Sequence, residues 1–191
     1  MGSPIIDDEP FLYKDILNTH DFNIREISDP NDIKAVESYD IVLCDIKGVG
    51  KHFNSSFEGG HLIKEIKNRY PSKIIVAYTG QQFDPTYNKF FEMSDFTLKK
   101  DISSDEWVES LDKAVKKVID PIEQWKRLRD LLIKKEISSL QLMYIEDGFV
   151  RRHLDSAPSF PSKKLLDMLT PELKSILNGF VANLIFKASI G

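Results

Sequence analysis

The sequence predicts an α/β unit over residues 1–119, built on a parallel sheet with helices on both faces, followed by a small all-α unit over residues 120–191. Three observations carry this reading. Up to residue 119, short apolar runs alternate with amphipathic stretches, strand then helix, five times over. Two of the runs, Ile41-Val42-Leu43-Cys44 and Ile74-Ile75-Val76-Ala77-Tyr78, are apolar without a break, as strands buried on both faces are. Beyond residue 120 the strand signals stop and only helical spacing continues.

Taken in order, Ile5-Ile6 form a first strand that runs into an acidic cluster. Pro4 removes one ladder hydrogen bond from it. Phe11, Leu12, Ile16 and Leu17 have helical spacing. Phe22 to Ile27 alternates weakly, as a strand does, and Ile33 with Val36 marks a short helix. The run at 41–44 ends at Asp45. Leu62, Ile63, Ile66 and Tyr70 line a helix, and the run at 74–78 ends at Thr79-Gly80. Tyr87, Phe90 and Phe91 sit on a further short helix. Phe96-Thr97-Leu98 is a brief strand ending at Lys99. Trp107, Val108, Leu111, Val115, Val118 and Ile119 line a helix capped by Ser103, Ser104 or Asp105. Pro121 interrupts the pattern. Helical spacing resumes at Trp125, Leu128, Leu131, Leu132 and Ile137, then from Leu140 to Leu154, a loop covers Asp155–Ser162, and Leu165, Leu166, Met168 and Leu169 make another turn or two. Thr170-Pro171 opens a last helix striped by Leu173, Ile176, Leu177, Phe180, Val181, Leu184 and Ile185.

Composition narrows the function classes. With 191 residues, 41% hydrophobic, the chain is long enough to bury a core without staples. A single cysteine, Cys44, excludes an internal disulfide framework, and no Cys/His cluster has zinc spacing. None of His20, His52, His61 and His153 has a paired base or ligand pattern. A start without basic or apolar regions and the lack of a 20-residue apolar run set the expectation of a cytoplasmic protein with no membrane partner. The net charge of −4 is uneven: residues 1–119 carry 15 Lys/Arg against 21 Asp/Glu, and residues 120–191 carry 11 against 9. The acidic part suits a cation better than a nucleic acid, and the weakly basic part is not enough to imply one.

In an open parallel sheet, ligands sit at the carboxyl ends of the strands. Asp7, Asp8 and Glu9 follow the first strand, Asp45 ends the third, Thr79 the fourth and Lys99 the fifth. Clustered carboxylates need a counter-charge, which a hard divalent cation such as Mg²⁺ supplies through oxygen ligands. A carboxylate is also a nucleophile toward phosphorus, a lysine holds a phosphate oxygen, and a threonine hydroxyl donates to another. The set is chemically complete for accepting a phosphoryl group.

These segments together resemble the receiver domains of two-component response regulators. Ile5-Ile6-Asp7-Asp8-Glu9-Pro10 resembles the acidic motif after that family's first strand, and Asp40-Ile41-Val42-Leu43-Cys44-Asp45 the segment ending in its phosphorylated aspartate. Ala77-Tyr78-Thr79-Gly80 resembles the switch segment, and Asp95-Phe96-Thr97-Leu98-Lys99 the one with an aromatic three residues before the site lysine. The resemblance covers residues 4–119 and implies a five-stranded doubly wound sheet of order 2-1-3-4-5. It implies Asp45 as phosphoacceptor, with Asp7, Asp8, Asp45 and the Lys47 backbone carbonyl as ligands of Mg²⁺. It implies Thr79 and Phe96 as a switch pair and Lys99 as the phosphoryl contact, with neighbouring Lys100 as the alternative lysine. The implied donor is a histidine kinase or phosphotransfer protein. The loop from Gly48 to Glu58 is longer than the family's, and the interval from Asp8 to Asp45 is shorter.

The expected protein is therefore a response regulator rather than an enzyme. Lys47 occupies the place two residues after Asp45 where a phosphatase of the aspartyl-phosphate type would carry a general acid. Residues 120–191 are expected to signal by contact with an effector protein or by homodimerisation. No helix-turn-helix pattern is present, so nucleic acid is not the expected partner. Two other readings stay open: a pseudo-receiver that works as a docking module without phosphorylation, and a helical unit that binds nucleic acid.

Overall fold

The computed structural model describes residues 2–53, 56–80, 84–155 and 160–188, with side chains throughout except at 153–155 and 182–188. The chain divides into two compact units, residues 1–120 and 121–191.

In the first unit, β1 (Ser3–Ile6), β2 (Ile24–Ile27), β3 (Ile41–Asp45), β4 (Ile74–Thr79) and β5 (Phe96–Lys99) form one parallel sheet of order β2-β1-β3-β4-β5. Strands β3 and β4 read as unbroken apolar runs because both of their faces are covered. Ile41 and Leu43 join Ile74, Val76 and Tyr78 under α1 (Lys14–Thr19) and α4 (Ser104–Ile119), whose Leu17, Trp107, Leu111 and Val118 fill that layer. Val42 and Cys44 join Ile75 and Ala77 on the other face, under α2 (Glu58–Arg69), α3 (Asn88–Phe91) and the 3₁₀ turns at Ile33–Val36 and Pro85–Tyr87. Ser103 begins α4 through a reciprocal capping box with Glu106. The expected helix from Phe11 is shorter than its apolar spacing implied. Phe11 is buried against Tyr13, Tyr78 and Trp107, Leu12 is 90% exposed, and the chain turns helical only at Lys14.

Asp95, just before β5, ties the two helical layers together. Its Oδ2 accepts from Lys67 Nζ of α2 at 2.6 Å and from the Ile75 amide at 3.0 Å, and its Oδ1 accepts from Lys117 Nζ of α4 at 2.9 Å. Burial pushes this carboxyl up, but the two ammonium groups and the amide outweigh it and hold the group below the usual carboxylate range. Its contribution to stability is therefore present above the unfolded carboxylate pKa of about 4 and lost as pH falls through the lower folded value. Asp95→Asn is expected to cost about 3 kcal/mol at neutral pH, because the carboxylate that two partly buried ammonium groups share loses its charge. Urea denaturation as a function of pH checks this, and the deficit should shrink toward pH 3.

The second unit is helical: α5 (Pro121–Lys134), α6 (Ser139–Asp155), α7 (Lys163–Asp167) and α8 (Pro171–Ala188). Pro121 does not interrupt a helix. It opens α5, where its missing N–H costs nothing. Thr170 accepts from the Leu173 amide at the start of α8. The α8 stripe packs inside the unit through Leu173, Leu177 and Val181, against Trp125, Leu128, Ile145, Phe149 and Leu165. The side chains of Leu184, Ile185 and His153, and residues 156–159 of the expected loop, lie outside the described residues. Among the described residues no helix is long and apolar enough to cross a membrane.

Candidate functional site

The carboxyl ends of β1 and β3 bring Asp7, Asp8 and Asp45 together, because the two strands are paired in register at Ile5–Leu43 and Ile6–Cys44. One carboxylate oxygen from each lies within 4.8 Å of the others. Asp7 and Asp45 are buried and Asp8 is exposed. Lys100 supplies the central counter-charge. Its Nζ lies 2.6 Å from Asp45 Oδ2 and 3.1 Å from Asp7 Oδ2.

The two partners of that ion pair respond differently. Burial pushes the Asp45 carboxyl above its usual value despite the stabilising hydrogen bond from Lys100. Burial also pulls Lys100 down, but its bonds to Asp45 and Asp7 outweigh this and hold its ammonium above the usual lysine range. The lysine gains from two carboxylates at once, whereas for Asp45 the bond to the shared lysine does not offset burial.

Three further contacts shape the site. The Lys47 amide donates to Asp45 Oδ1 at 3.2 Å, and Lys47 Nζ lies 3.9 Å from Asp84. The Glu9 amide donates to Asp7 Oδ1 at 3.0 Å. The Tyr78 hydroxyl donates to Asp7 Oδ2 at 2.9 Å. Burial and the neighbouring Asp7 charge push the Tyr78 phenol well above its usual range, so it remains an O–H donor.

The long loop after β3 is tied down from both sides. Asp29 accepts from the amides of Gly50 and Lys51, and Glu58 Oε2 accepts from the Gly48 amide at 2.7 Å. Lys51 Nζ reaches Asp8 at 3.4 Å. Gly48 has φ +80°, and a Cβ there would overlap the Asp8 carboxylate, so only glycine lets the backbone pass this close. Asn54 and Ser55 of this loop lie outside the described residues.

Of the two candidate lysines, the one whose side chain reaches the carboxylates is Lys100. Side chains alternate along β5, and Lys99, paired with Thr79, points outward and is exposed, while Lys100 follows the strand end and turns in. The structure places Phe96 and Thr79, the expected switch pair, on different faces of the sheet. Phe96 packs with the cluster under α1 and α4, whereas alternation along β4 puts Thr79 on the face of Ile75 and Ala77. With Lys100 as the site lysine, the residue three positions earlier is Thr97, which is exposed. A one-residue shift in a strand changes the face of every side chain.

The structure also adds residues that the sequence did not single out. Tyr78 reads as one more apolar residue of a buried run, yet a hydroxyl at the last buried position of a strand beside an acidic cluster is a usable signal. Asp29 and Glu58 carry no local signal, since each acts on backbone 21 and 10 residues away in sequence.

The carboxylates fit a hard divalent cation: three oxygen donors of one kind converge, and no soft ligand stands among them.

No protein-family model matches the chain, and no curated protein does. Solved structures match its α/β part. A CheY-like response regulator receiver domain protein from Methanospirillum hungatei superposes with a TM-score of 0.52 at 17% identity, over 61% of this chain and 94% of that one. The BeF₃-activated N-terminal receiver domain of Klebsiella pneumoniae RstA gives 0.51 at 21% identity, over 61% and 99%. The receiver domain of NtrX from Brucella abortus gives 0.50 at 20% identity, over 60% and 98%. The first unit thus has the CheY-like fold of response regulator receiver domains, with helices following it.

Proposed function

We propose that this chain is a response regulator of a two-component or phosphorelay system, whose first unit accepts a phosphoryl group on Asp45. The observation that supports this most is Lys100 Nζ between Asp45 and Asp7, with Asp8 beside them at the carboxyl end of the sheet. An Asp45 carboxylate oxygen attacks phosphorus, the bond from phosphorus to the donor breaks, and a mixed anhydride remains on Asp45. Lys100 holds a phosphoryl oxygen by charge, and the Thr79 hydroxyl donates to another. Asp7, Asp8, Asp45 and the Lys47 carbonyl are the groups that would hold Mg²⁺, which supplies charge neutralisation for the transferred group. The natural donor in this reading is a histidine kinase or phosphotransfer protein. The helical unit passes the signal on by contact with an effector or by dimerisation.

Intact-mass spectrometry after incubation with acetyl phosphate tests the reading. One adduct is expected with Mg²⁺ and none with a chelator. Asp45→Asn should give none under either condition, and an adduct on that variant, or none on the parent, overturns the assignment. The same variant carries a stability prediction. The folded carboxyl titrates above its usual value, so its contribution is fully present below the unfolded pKa and lost as pH rises through the folded one. Asp45→Asn removes that loss and should melt higher than the parent at pH 7 in metal-free buffer, with the gap closing in acid.

A further inference from the structure

Tyr78 joins the acidic site to the opposite side of the sheet from Thr79. It is fully buried, and its hydroxyl donates to Asp7 Oδ2 at 2.9 Å and to the Ile6 carbonyl at 3.2 Å. Its ring lies 5.6 Å from Trp107 of α4, edge to face, and 6.0 Å from Phe11. Lys100 Nζ lies 5.6 Å from its centroid. Trp107 is fully buried too, and its Nε1 has no acceptor among the described residues. A buried hydroxyl has no water to turn to, so when a cation draws on Asp7 the phenol must follow the carboxylate or turn fully to the Ile6 carbonyl. A ring in a close-packed cluster cannot move without moving its neighbours.

We propose that Tyr78 is a positioning residue: it fixes the Asp7 carboxylate for a divalent cation and passes the loaded state to Trp107, so that occupancy is read on the α1–α4 face. This rests on the receiver reading above. It assigns the aromatic role to the strand β4 residue rather than to one on β5.

The test uses the full chain carrying Trp125→Phe, which leaves Trp107 as its single tryptophan. Cation loading is read by the electron paramagnetic resonance of free Mn²⁺, and Trp107 emission is followed while Mg²⁺ is added. The expected result is a saturable emission change in this parent. Adding Tyr78→Phe, which keeps the ring contacts, should weaken Mn²⁺ binding at least about tenfold and abolish the emission change even at saturation. A Tyr78→Phe chain that keeps either the parent's affinity or its emission change overturns the proposal and leaves the receiver reading standing. A parent that loads no Mn²⁺ overturns both. Should the variant fail to fold, the parent decides alone: loading without an emission change overturns the proposal.

Discussion

Lys100→Ala is expected to slow adduct formation from acetyl phosphate about 10²-fold, while Lys99→Ala changes it by no more than about twofold. The two lysines are adjacent, carry the same charge and differ only in direction. Lys100 Nζ is within bonding distance of two buried carboxylates, whereas Lys99 is exposed on the last residue of β5. Removing Lys100 takes away the ammonium that pairs with both Asp45 and Asp7. The Asp45 carboxyl, already raised by burial, then rises further. A protonated Asp45 is no nucleophile, so the variant's residual reactivity should move to higher pH than the parent's. A time course by intact mass across a pH series reads both effects. A silent Lys100→Ala beside a damaging Lys99→Ala would reverse the assignment.

Gly59→Ala is expected to destabilise the chain by more than about 4 kcal/mol, enough that a soluble, folded product is not expected at 37 °C. Gly59 lies in the first turn of α2, where the helix passes directly under the end of β3. A Cβ there would overlap the Asp45 carbonyl oxygen and come within 2.9 Å of Val49 Cγ2. The obstacle is backbone, and the strand that carries it is paired on both sides, so it cannot move aside. Gly60→Ala is the control. Its Cβ would meet the Phe90 side chain, which can shift, so a cost of about 1–3 kcal/mol is expected. Urea denaturation of both variants separates the two cases, and equal midpoints would show that α2 can slide away from β3.

How far the sequence was legible follows from which interactions are local. Strands β3 and β4 were legible because burial on both faces leaves an unbroken apolar run. Asp7, Asp8 and Asp45 were legible because they end such runs, and a strand end is where a parallel sheet presents its chemistry. The α4 cap was narrowed to three candidates, and the reciprocal bond with Glu106 selects Ser103. The lysine was less legible. Lys99 and Lys100 stand side by side, and a spacing rule does not say which face a strand residue occupies, so both remained candidates until the side chains were placed. Tyr78 and its acceptor on Asp7 are 71 residues apart, and no pattern in either segment announces the bond. In the helical unit the spacing located α5, α6 and α8, since helix–helix packing needs only a stripe. The same stripe says nothing of what a partner would touch, because Leu173, Leu177 and Val181 are spent on the unit's own core.

The outermost strands, β2 and β5, are each four residues long, and both carry charge: Arg25 and Glu26 on one, Lys99 on the other. Their free backbone groups are therefore a poor template for a strand from another molecule, which would have to bring a matching short segment past those charges. Two copies of this unit cannot readily merge into one continuous ladder. Self-association of the α/β unit, where it occurs, falls to helix surfaces, whose contacts can be made and released without re-registering a sheet. The same charges guard the sheet against fibrous growth while it is still assembling.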